Sequence, residues 1–351
     1  MSNYSRRLPI YLLLDCSESM AGEAFTALQN GVNAMINELR TNPMALETVA
    51  ISLITFASTA KQVIPLTDLL KFQVPQLRLG SGTKLGAALD IWQKCLEREV
   101  AKTTAEQKGD YKPICFILTD GEPTDAWENV AQKVRTTIVG KKANVIAVAC
   151  GPDADTEKLR RITETVIVLK QATPDTFAKF FKWISASVSV ASERIETATE
   201  QGVALPRLPE DCMEIPQPGK PAEVITSERQ IFLHAKCVKN SGFYLLRYVK
   251  SGNRGQLLGL GNSQDVYKAI ATHAVKDFEF EENDQGLQVS TTQLEDFQPC
   301  PYCSNQLWAM CSQGHVHCCP EYQGSLTLTC PWCNTTDTYA AQNFDVGRGR
   351  G

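Results

Sequence analysis

Histidine is scarce in this chain: there are four among 351 residues, and none precedes His234. Everything before that point lacks an imidazole to activate a nucleophile. It also lacks a Gly-Lys-Ser/Thr loop to cradle a phosphate, since Gly82-Thr83-Lys84 holds the reverse order. Long apolar runs are missing too. The segment Met1-Ser2-Asn3-Tyr4-Ser5-Arg6-Arg7 leads into an apolar run too short for a secretion signal or a membrane span, and no later stretch is long enough. The expectation is a cytoplasmic protein with no membrane role. No dense Lys/Arg cluster occurs, and a formal charge of −4 with a pI near 5.7 argues against a general nucleic-acid binder. No internal repeat points to a solenoid.

What is present is ample for folding. Hydrophobic residues make up 43% of the chain, and the length suggests about two to three domains. The most informative segment is Asp15-Cys16-Ser17-Glu18-Ser19, directly after the apolar run Pro9 to Leu14. A carboxylate and two hydroxyls at alternate positions form half of a hard-cation site. Thr83, in Gly80-Ser81-Gly82-Thr83, and Asp120, at the end of Ile114 to Asp120, supply further oxygens. All five side chains offer oxygen, which favours Mg²⁺ or Mn²⁺. With only two carboxylates, Asp15 and Asp120, the ion's charge is barely offset, so it attracts a further anion. A partner's Asp, Glu or phosphate fits that place. Each acidic end follows a short apolar run of the kind that forms a strand buried on both faces of a parallel sheet. In such sheets ligands bind at the strands' carboxyl ends.

The D-x-S-x-S, Thr and Asp set resembles the metal-ion-dependent adhesion site of von Willebrand factor A domains, and all five positions match. The resemblance implies that Ser17 and Ser19 bind the metal directly, with Thr83, Asp15 and Asp120 joining directly or through water. It also implies protein binding rather than catalysis. The competing reading is that Ser17 and Ser19 cap the following helix and Asp120 shapes a turn.

Strand and helix signals alternate up to about residue 195, as a doubly wound, mostly parallel α/β sheet requires. Strands are expected at Ile10 to Leu14, Val49 to Phe56, Gln62 to Leu66, Ile114 to Leu118, Asn144 to Ala149 and Thr165 to Leu169. Helices are expected at Ala21 to Arg40, from the Thr83 loop through Leu96, at Ala126 to Ile138, near Thr156 to Ile162, and after Thr173-Pro174-Asp175. The last carries Phe177, Phe180, Phe181, Trp183 and Ile184, an aromatic stripe that reads as core. The first domain is thus set at 1–195. Residues 196–229, rich in Pro and Gly between Gly202 and Ala222, read as an extended linker. Gln230 to Ala235, Phe243 to Val249 and Gln256 to Gly259 then read as strands of a small β-rich module at 230–345, with a turn at Ser251 to Gly255. The tail Gly347 to Gly351 is expected to lack structure.

Thirteen cysteines are present, and seven of them fall between Cys300 and Cys333. Cys16, Cys95, Cys115, Cys150, Cys212 and Cys237 are scattered and read as inert core, with a redox role considered only for Cys16 beside the metal loop. Cys300-Pro301-Tyr302-Cys303 and Cys330-Pro331-Trp332-Cys333 form two C-x-x-C knuckles, which suit a Zn²⁺ held by four thiolates in a ribbon at 298–336. A glutaredoxin-type reading of C-P-Y-C lacks the expected strand-to-helix setting. Cys311 and Cys318 are secondary zinc candidates, and His315 and His317 are assigned surface or supporting roles.

Taken together, the A-type domain, the segments Gln230 to Cys237 and Tyr244 to Tyr248, and the Cys-Pro-x-Cys pair resemble the TerY family of the tellurium-resistance group, whose C-terminal module binds zinc. One departure is Cys311-Ser312-Gln313-Gly314, where a further cysteine is expected before the glycine. The resemblance implies a non-catalytic scaffold acting with a protein kinase and a metal-dependent protein phosphatase in stress signalling. The alternatives from other classes are a metal-dependent hydrolase or phosphatase using the Mg²⁺ site, and a zinc-ribbon nucleic-acid binder stacking bases on Tyr302, Trp308 and Trp332.

Overall fold

The computed structural model describes residues 6–120, 122–150, 154–194, 206–216, 230–254, 264–280, 288–321 and 323–347. The chain divides into two compact units, one comprising Met1–Leu77 with Thr83–Val224 and the other Arg78–Gly82 with Ile225–Gly351.

The first unit is built on a seven-stranded sheet. Its strands are β1 (Leu8–Asp15), β2 (Val49–Phe56), β3 (Ala60–Asp68), β4 (Ile114–Thr119), β5 (Asn144–Cys150), β6 (Val166–Leu169) and β7 (Met213–Glu214), in the spatial order β3-β2-β1-β4-β5-β6-β7. The central pairings are parallel, and only β3 and β7, at the edges, run antiparallel to their neighbours. Strands β1 and β4 are buried along their whole length, which is why their sequences read as continuous apolar runs rather than alternations. Helices α1 (Glu23–Leu39), α2 (Pro43–Thr48), α3 (Leu85–Glu99), α4 (Glu128–Thr137), α5 (Thr156–Arg160) and α6 (Pro174–Arg194) complete the unit. On one face, Leu85, Leu89 and Trp92 of α3 and Ala131 and Val134 of α4 pack on Tyr11, Leu13, Ile117 and Ala147 of the sheet. On α1 the residues Leu28, Val32, Met35, Ile36 and Leu39 are all buried. The aromatic stripe of α6 is core, as expected: Phe177, Phe180, Phe181 and Ile184 are fully buried. Gly31 lets α1 and α6 approach closely, since a Cβ there would lie 2.1 Å from Phe181 Cδ2.

The Pro-rich segment differs from the expected linker. Met213–Glu214 pairs with β6 as the last strand of the sheet, and the Trp183 indole donates to the Pro206 carbonyl at 3.1 Å. Lys179 of α6 pairs with Asp211 at 2.8 Å. Residues 206–216 therefore belong to the first unit. Linker residues 196–205 and 217–229 lie outside the described residues, as do the strand expected at Gln256 to Gly259 and residues 348–351 of the expected tail; its first residue, Gly347, is instead strand, paired with Gln288.

In the second unit, a six-stranded sheet contains β8 (Gln230–Lys236), β9 (Phe243–Arg254), β10 (Gln264–Ala274), β11 (Leu294–Glu295), β12 (Leu307–Met310) and β13 (Val316–Cys319), in the order β11-β10-β9-β8-β13-β12. The turn expected from Ser251 is instead strand as far as Arg254: a register irregularity between Lys250 and Gly252 absorbs Ser251, and Gly252 pairs with Val266. A separate hairpin pairs β14 (Ser325–Thr329) with β15 (Thr336–Ala340). Among the described residues no helix is long and apolar enough to cross a membrane.

Candidate metal centres

Strands β1 and β4 lie side by side in register, Leu14 opposite Leu118, and each ends in the first unit's acidic loops. The Asp15 side chain is fully buried; its Oδ1 accepts the Ser17 amide at 2.9 Å and its Oδ2 accepts the Thr119 hydroxyl. From there a chain of hydroxyls runs outward. Ser17 Oγ lies 2.9 Å from Ser19 Oγ, and Ser19 Oγ donates to Asp120 Oδ1 at 2.7 Å. Asp15, Ser17, Ser19 and Asp120, from two separated segments, thus converge at the carboxyl ends of adjacent strands.

Thr83 comes from a third segment, immediately before α3. It is completely buried, and its hydroxyl has no hydrogen-bond partner. A buried, unsatisfied hydroxyl is costly, so its lone pairs call for an acceptor-seeking group such as a cation. The helix-capping reading of the serines fails: neither the short 3₁₀ turn Glu18–Met20 nor α1, whose N-cap is Gly22, has a side-chain cap bond. Burial pushes the Asp15 carboxyl up to about 6, against the lowering effect of the Ser17 and Thr119 hydroxyls and the Ser17 amide. A divalent cation among these oxygens would compensate the buried charge. Cys16 is 1% exposed with its thiol directed to the Leu14 carbonyl, so it is a core residue and not a surface thiol.

The second unit holds two sulfur clusters. Cys237, Cys300, Cys303 and Cys318 form one, and Cys311, His315, Cys330 and Cys333 the other; within each, all ligand atoms lie within 4.8 Å of one another. The two C-x-x-C knuckles therefore do not close on a single ion. Cys300 and Cys303 belong to the first cluster, Cys330 and Cys333 to the second, and Cys318 and Cys311 complete the respective sets. Backbone pairing explains the separation. Strand β13 runs parallel to β8 with His317 opposite Lys236, which brings Cys318 beside Cys237 at the strand's end. The β12–β13 hairpin carries Cys311 and His315 at its tip, and the β14–β15 hairpin carries Cys330 and Cys333 at its own.

Three turns share one geometry, and the turn at Cys311 is a version one residue shorter. The amides of Ser241, Ser304 and Asn334 donate to the carbonyls of Cys237, Cys300 and Cys330 at 2.9, 2.9 and 3.0 Å, and Gly314 donates to Cys311 at 2.8 Å. In each case the donor has a positive φ, between 56° and 82°. Each cysteine's own amide donates back across the turn, to Gly242, Asn305, Thr335 and His315. These folded turns leave amides free to face sulfur: Val238 N–H points to Cys318 Sγ at 3.3 Å and Trp332 N–H to Cys330 Sγ at 3.4 Å. The Thr335 hydroxyl, 3.2 Å from Cys333 Sγ, and its amide hold the Cys333 thiol down to about 6. Burial pushes Cys330 up to about 11 and also raises Cys300 and Cys318. A metal reverses that penalty by binding the thiolate form.

Two residues escape a reading of spacing alone. Cys237 has no cysteine near it in sequence, yet Cys237-Val238-Lys239-Asn240-Ser241-Gly242 repeats the turn of Cys300 to Asn305 with Asn240 in the second cysteine's place. That parallel is the signal that finds it. His315 stands four residues after Cys311, beyond Gly314, and supplies the donor missing from the expected second cysteine. Its ring stacks on Trp332 at 5.7 Å. His317 is different: it is fully buried and shares a 2.9 Å contact with the Tyr339 hydroxyl.

Comparison with known proteins agrees with this division. The von Willebrand factor type A domain pattern matches residues 10–182, and the TerY-C metal binding domain pattern matches residues 227–351. Matrilin-3 of Gallus gallus is 27% identical over 164 residues, covering 44% of this chain; the chain spans only 34% of that relative's length. Among solved structures, a von Willebrand factor type A protein from Catenulispora acidiphila has a TM-score of 0.43 at 13% identity, with 80% of this chain and 68% of that one covered. Proximal thread matrix protein 1 from the mussel byssus has a TM-score of 0.39 at 17% identity, with 52% and 48% covered. The chain thus carries a von Willebrand factor type A domain followed by a TerY-C metal binding domain, an arrangement that matches a TerY-type von Willebrand factor type A protein.

Proposed function

We propose that the chain is a non-catalytic, cytoplasmic scaffold that grips a protein partner through Mg²⁺, or Mn²⁺, at Asp15, Ser17, Ser19, Thr83 and Asp120. The convergence of Asp15, Ser17, Ser19 and Asp120 as an all-oxygen donor set carries this reading, and the buried, unpartnered Thr83 hydroxyl supports it. Three neutral hydroxyls and two carboxylates leave the ion with a residual attraction for an anion, and a partner's Asp, Glu or phosphate supplies it. Zn²⁺ in each cysteine cluster gives the second unit its rigidity and a second docking surface, the thiolates supplying soft ligands and the imidazole of His315 the eighth donor. By resemblance to the TerY family, the partners are a protein kinase and a metal-dependent protein phosphatase acting in a tellurium-type stress response.

Quantitative co-purification in Mg²⁺ buffer tests this, with wild type compared against Asp120→Ala. A kinase or phosphatase captured by wild type and lost from the folded variant supports the metal grip. Equal capture moves the contact elsewhere on the protein. Sustained phosphatase turnover with Mn²⁺ that Asp120→Ala abolishes would instead make the site catalytic.

A further inference from the structure

Two residues outside the five-residue motif tie its segments together. Thr124 and Asp125 follow Asp120 on the same loop. The Thr83 amide donates to Thr124 Oγ1 at 2.9 Å, and the Thr124 amide donates to the Thr83 carbonyl, also at 2.9 Å. Both backbone groups of Thr83 are thus tied to Thr124, the carbonyl also accepting the Leu85 amide at 2.9 Å, and its hydroxyl is left without a partner. Asp125 extends the clasp. Its Oδ1 and Oδ2 accept the amides of Gly86 and Ala87 at 3.0 and 2.9 Å, in the first turn of α3, where the N-cap residue Lys84 offers no side-chain bond of its own. Gly86 is the residue this approach demands, since a Cβ there would lie 2.8 Å from Trp127 Cα and 3.0 Å from Asp125 Oδ2. On the other side of the loop, Glu122 pairs with Lys158 of α5 at 2.7 Å.

We propose that Thr124 and Asp125 are positioning residues of the oxygen-donor metal site, joining the Thr83 and Asp120 segments into one body so that the Thr83 hydroxyl faces the ion. The proposal rests on the reading of that site as a cation site. A helix-capping role alone does not require Thr124, whose contacts are to Thr83 and not to the free amides of α3. Outer partners that orient ligands typically contribute about 10–100-fold in metal affinity. Thr124 and Asp125 belong to this class.

The test is Mn²⁺ binding to the full chain by calorimetry, together with hydrogen exchange at the Thr83 amide. Thr124→Val keeps the shape and removes the acceptor; Thr124→Ser keeps the acceptor. The expected result is an affinity lowered about 10–100-fold and a faster-exchanging Thr83 amide in Thr124→Val, with both restored in Thr124→Ser. Asp125→Asn is expected to fall between wild type and Thr124→Val. Gly31→Ala, which strains the α1–α6 contact, serves as a control for lowered stability and is expected to bind Mn²⁺ as wild type does. Unchanged affinity in Thr124→Val, or an equal loss in Gly31→Ala, overturns the positioning role while leaving the cation site intact. If wild type itself takes up no Mn²⁺, the cation site fails and the positioning role fails with it.

Discussion

Replacing Cys237 with serine separates two four-ligand sites from one. Cys237 lies far in sequence from the other ligands and outside both C-x-x-C knuckles, so a single site built on Cys300, Cys303, Cys330 and Cys333 would not notice the change. In the structure its sulfur completes the set with Cys300, Cys303 and Cys318. Structural zinc contributes roughly 10–16 kcal/mol in small peptides, so an equal share per ligand is about 2.5–4 kcal/mol, or about two to three decades of affinity. The assay is zinc content after exposure to a chromophoric chelator of intermediate strength. Wild type is expected to retain two ions, one for each cluster. Cys237→Ser and Cys330→Ser are each expected to retain one, and the double variant none, because the clusters share no ligand. The arrangement is refuted if Cys237→Ser keeps both ions against the same chelator as wild type, or if wild type holds a single ion that Cys330→Ser also removes.

Asp15→Asn is expected to raise the unfolding temperature of the metal-free protein at pH 7 while abolishing Mn²⁺ binding. The Asp15 carboxyl is raised by burial to about 6 in the fold, so the native state binds its proton more tightly than the unfolded chain does. The Asp15 contribution to the stability of the metal-free protein is therefore present at low pH and lost as pH rises through about 6, so the stability of wild type relative to Asp15→Asn falls across this range; a difference between the two melting series that rises or stays flat contradicts the assignment. Gly31→Ala drives a methyl to within 2.1 Å of the Phe181 ring and is expected to cost about 1–3 kcal/mol, seen as a lower denaturation midpoint in urea with an unchanged slope. His315→Ala is expected to lower zinc retention at the second cluster alone, leaving the Cys237 cluster loaded in the same chelator assay.

Much of the first unit is legible because its signals are local. The apolar runs at Leu8–Asp15 and Ile114–Thr119 are strands buried on both faces, and the motif oxygens follow directly at their ends. Strand β7 is not legible: Met213–Glu214 is two residues long, set among prolines, and becomes a strand only because β6 offers an open edge. The candidate metal ligands of the second unit divide in the same way. C-x-x-C spacing exposes both knuckles, but which four donors meet depends on the parallel pairing of β8 with β13, a contact between distant parts of the chain that spacing does not encode. Cys237 reads as core for a real reason. It is fully buried and packs with Tyr244, Leu246 and Val316 in the unit's apolar cluster. The burial is as read; what spacing misses is that its sulfur lies among those of Cys300, Cys303 and Cys318.

The order of the ligands along the chain has a consequence for assembly. The first cluster draws on Cys237, Cys300, Cys303 and Cys318, and the second on Cys311, His315, Cys330 and Cys333, so the hairpin tip of one is threaded between the donors of the other. The first cluster cannot be cut out with the second: a fragment spanning only 298–336 carries every donor of the second cluster but loses the Cys237 sulfur that closes the first. Ions in the two clusters would act as rivets through overlapping straps, and a fragment meant to hold the first cluster must reach back to Cys237, just past the end of β8.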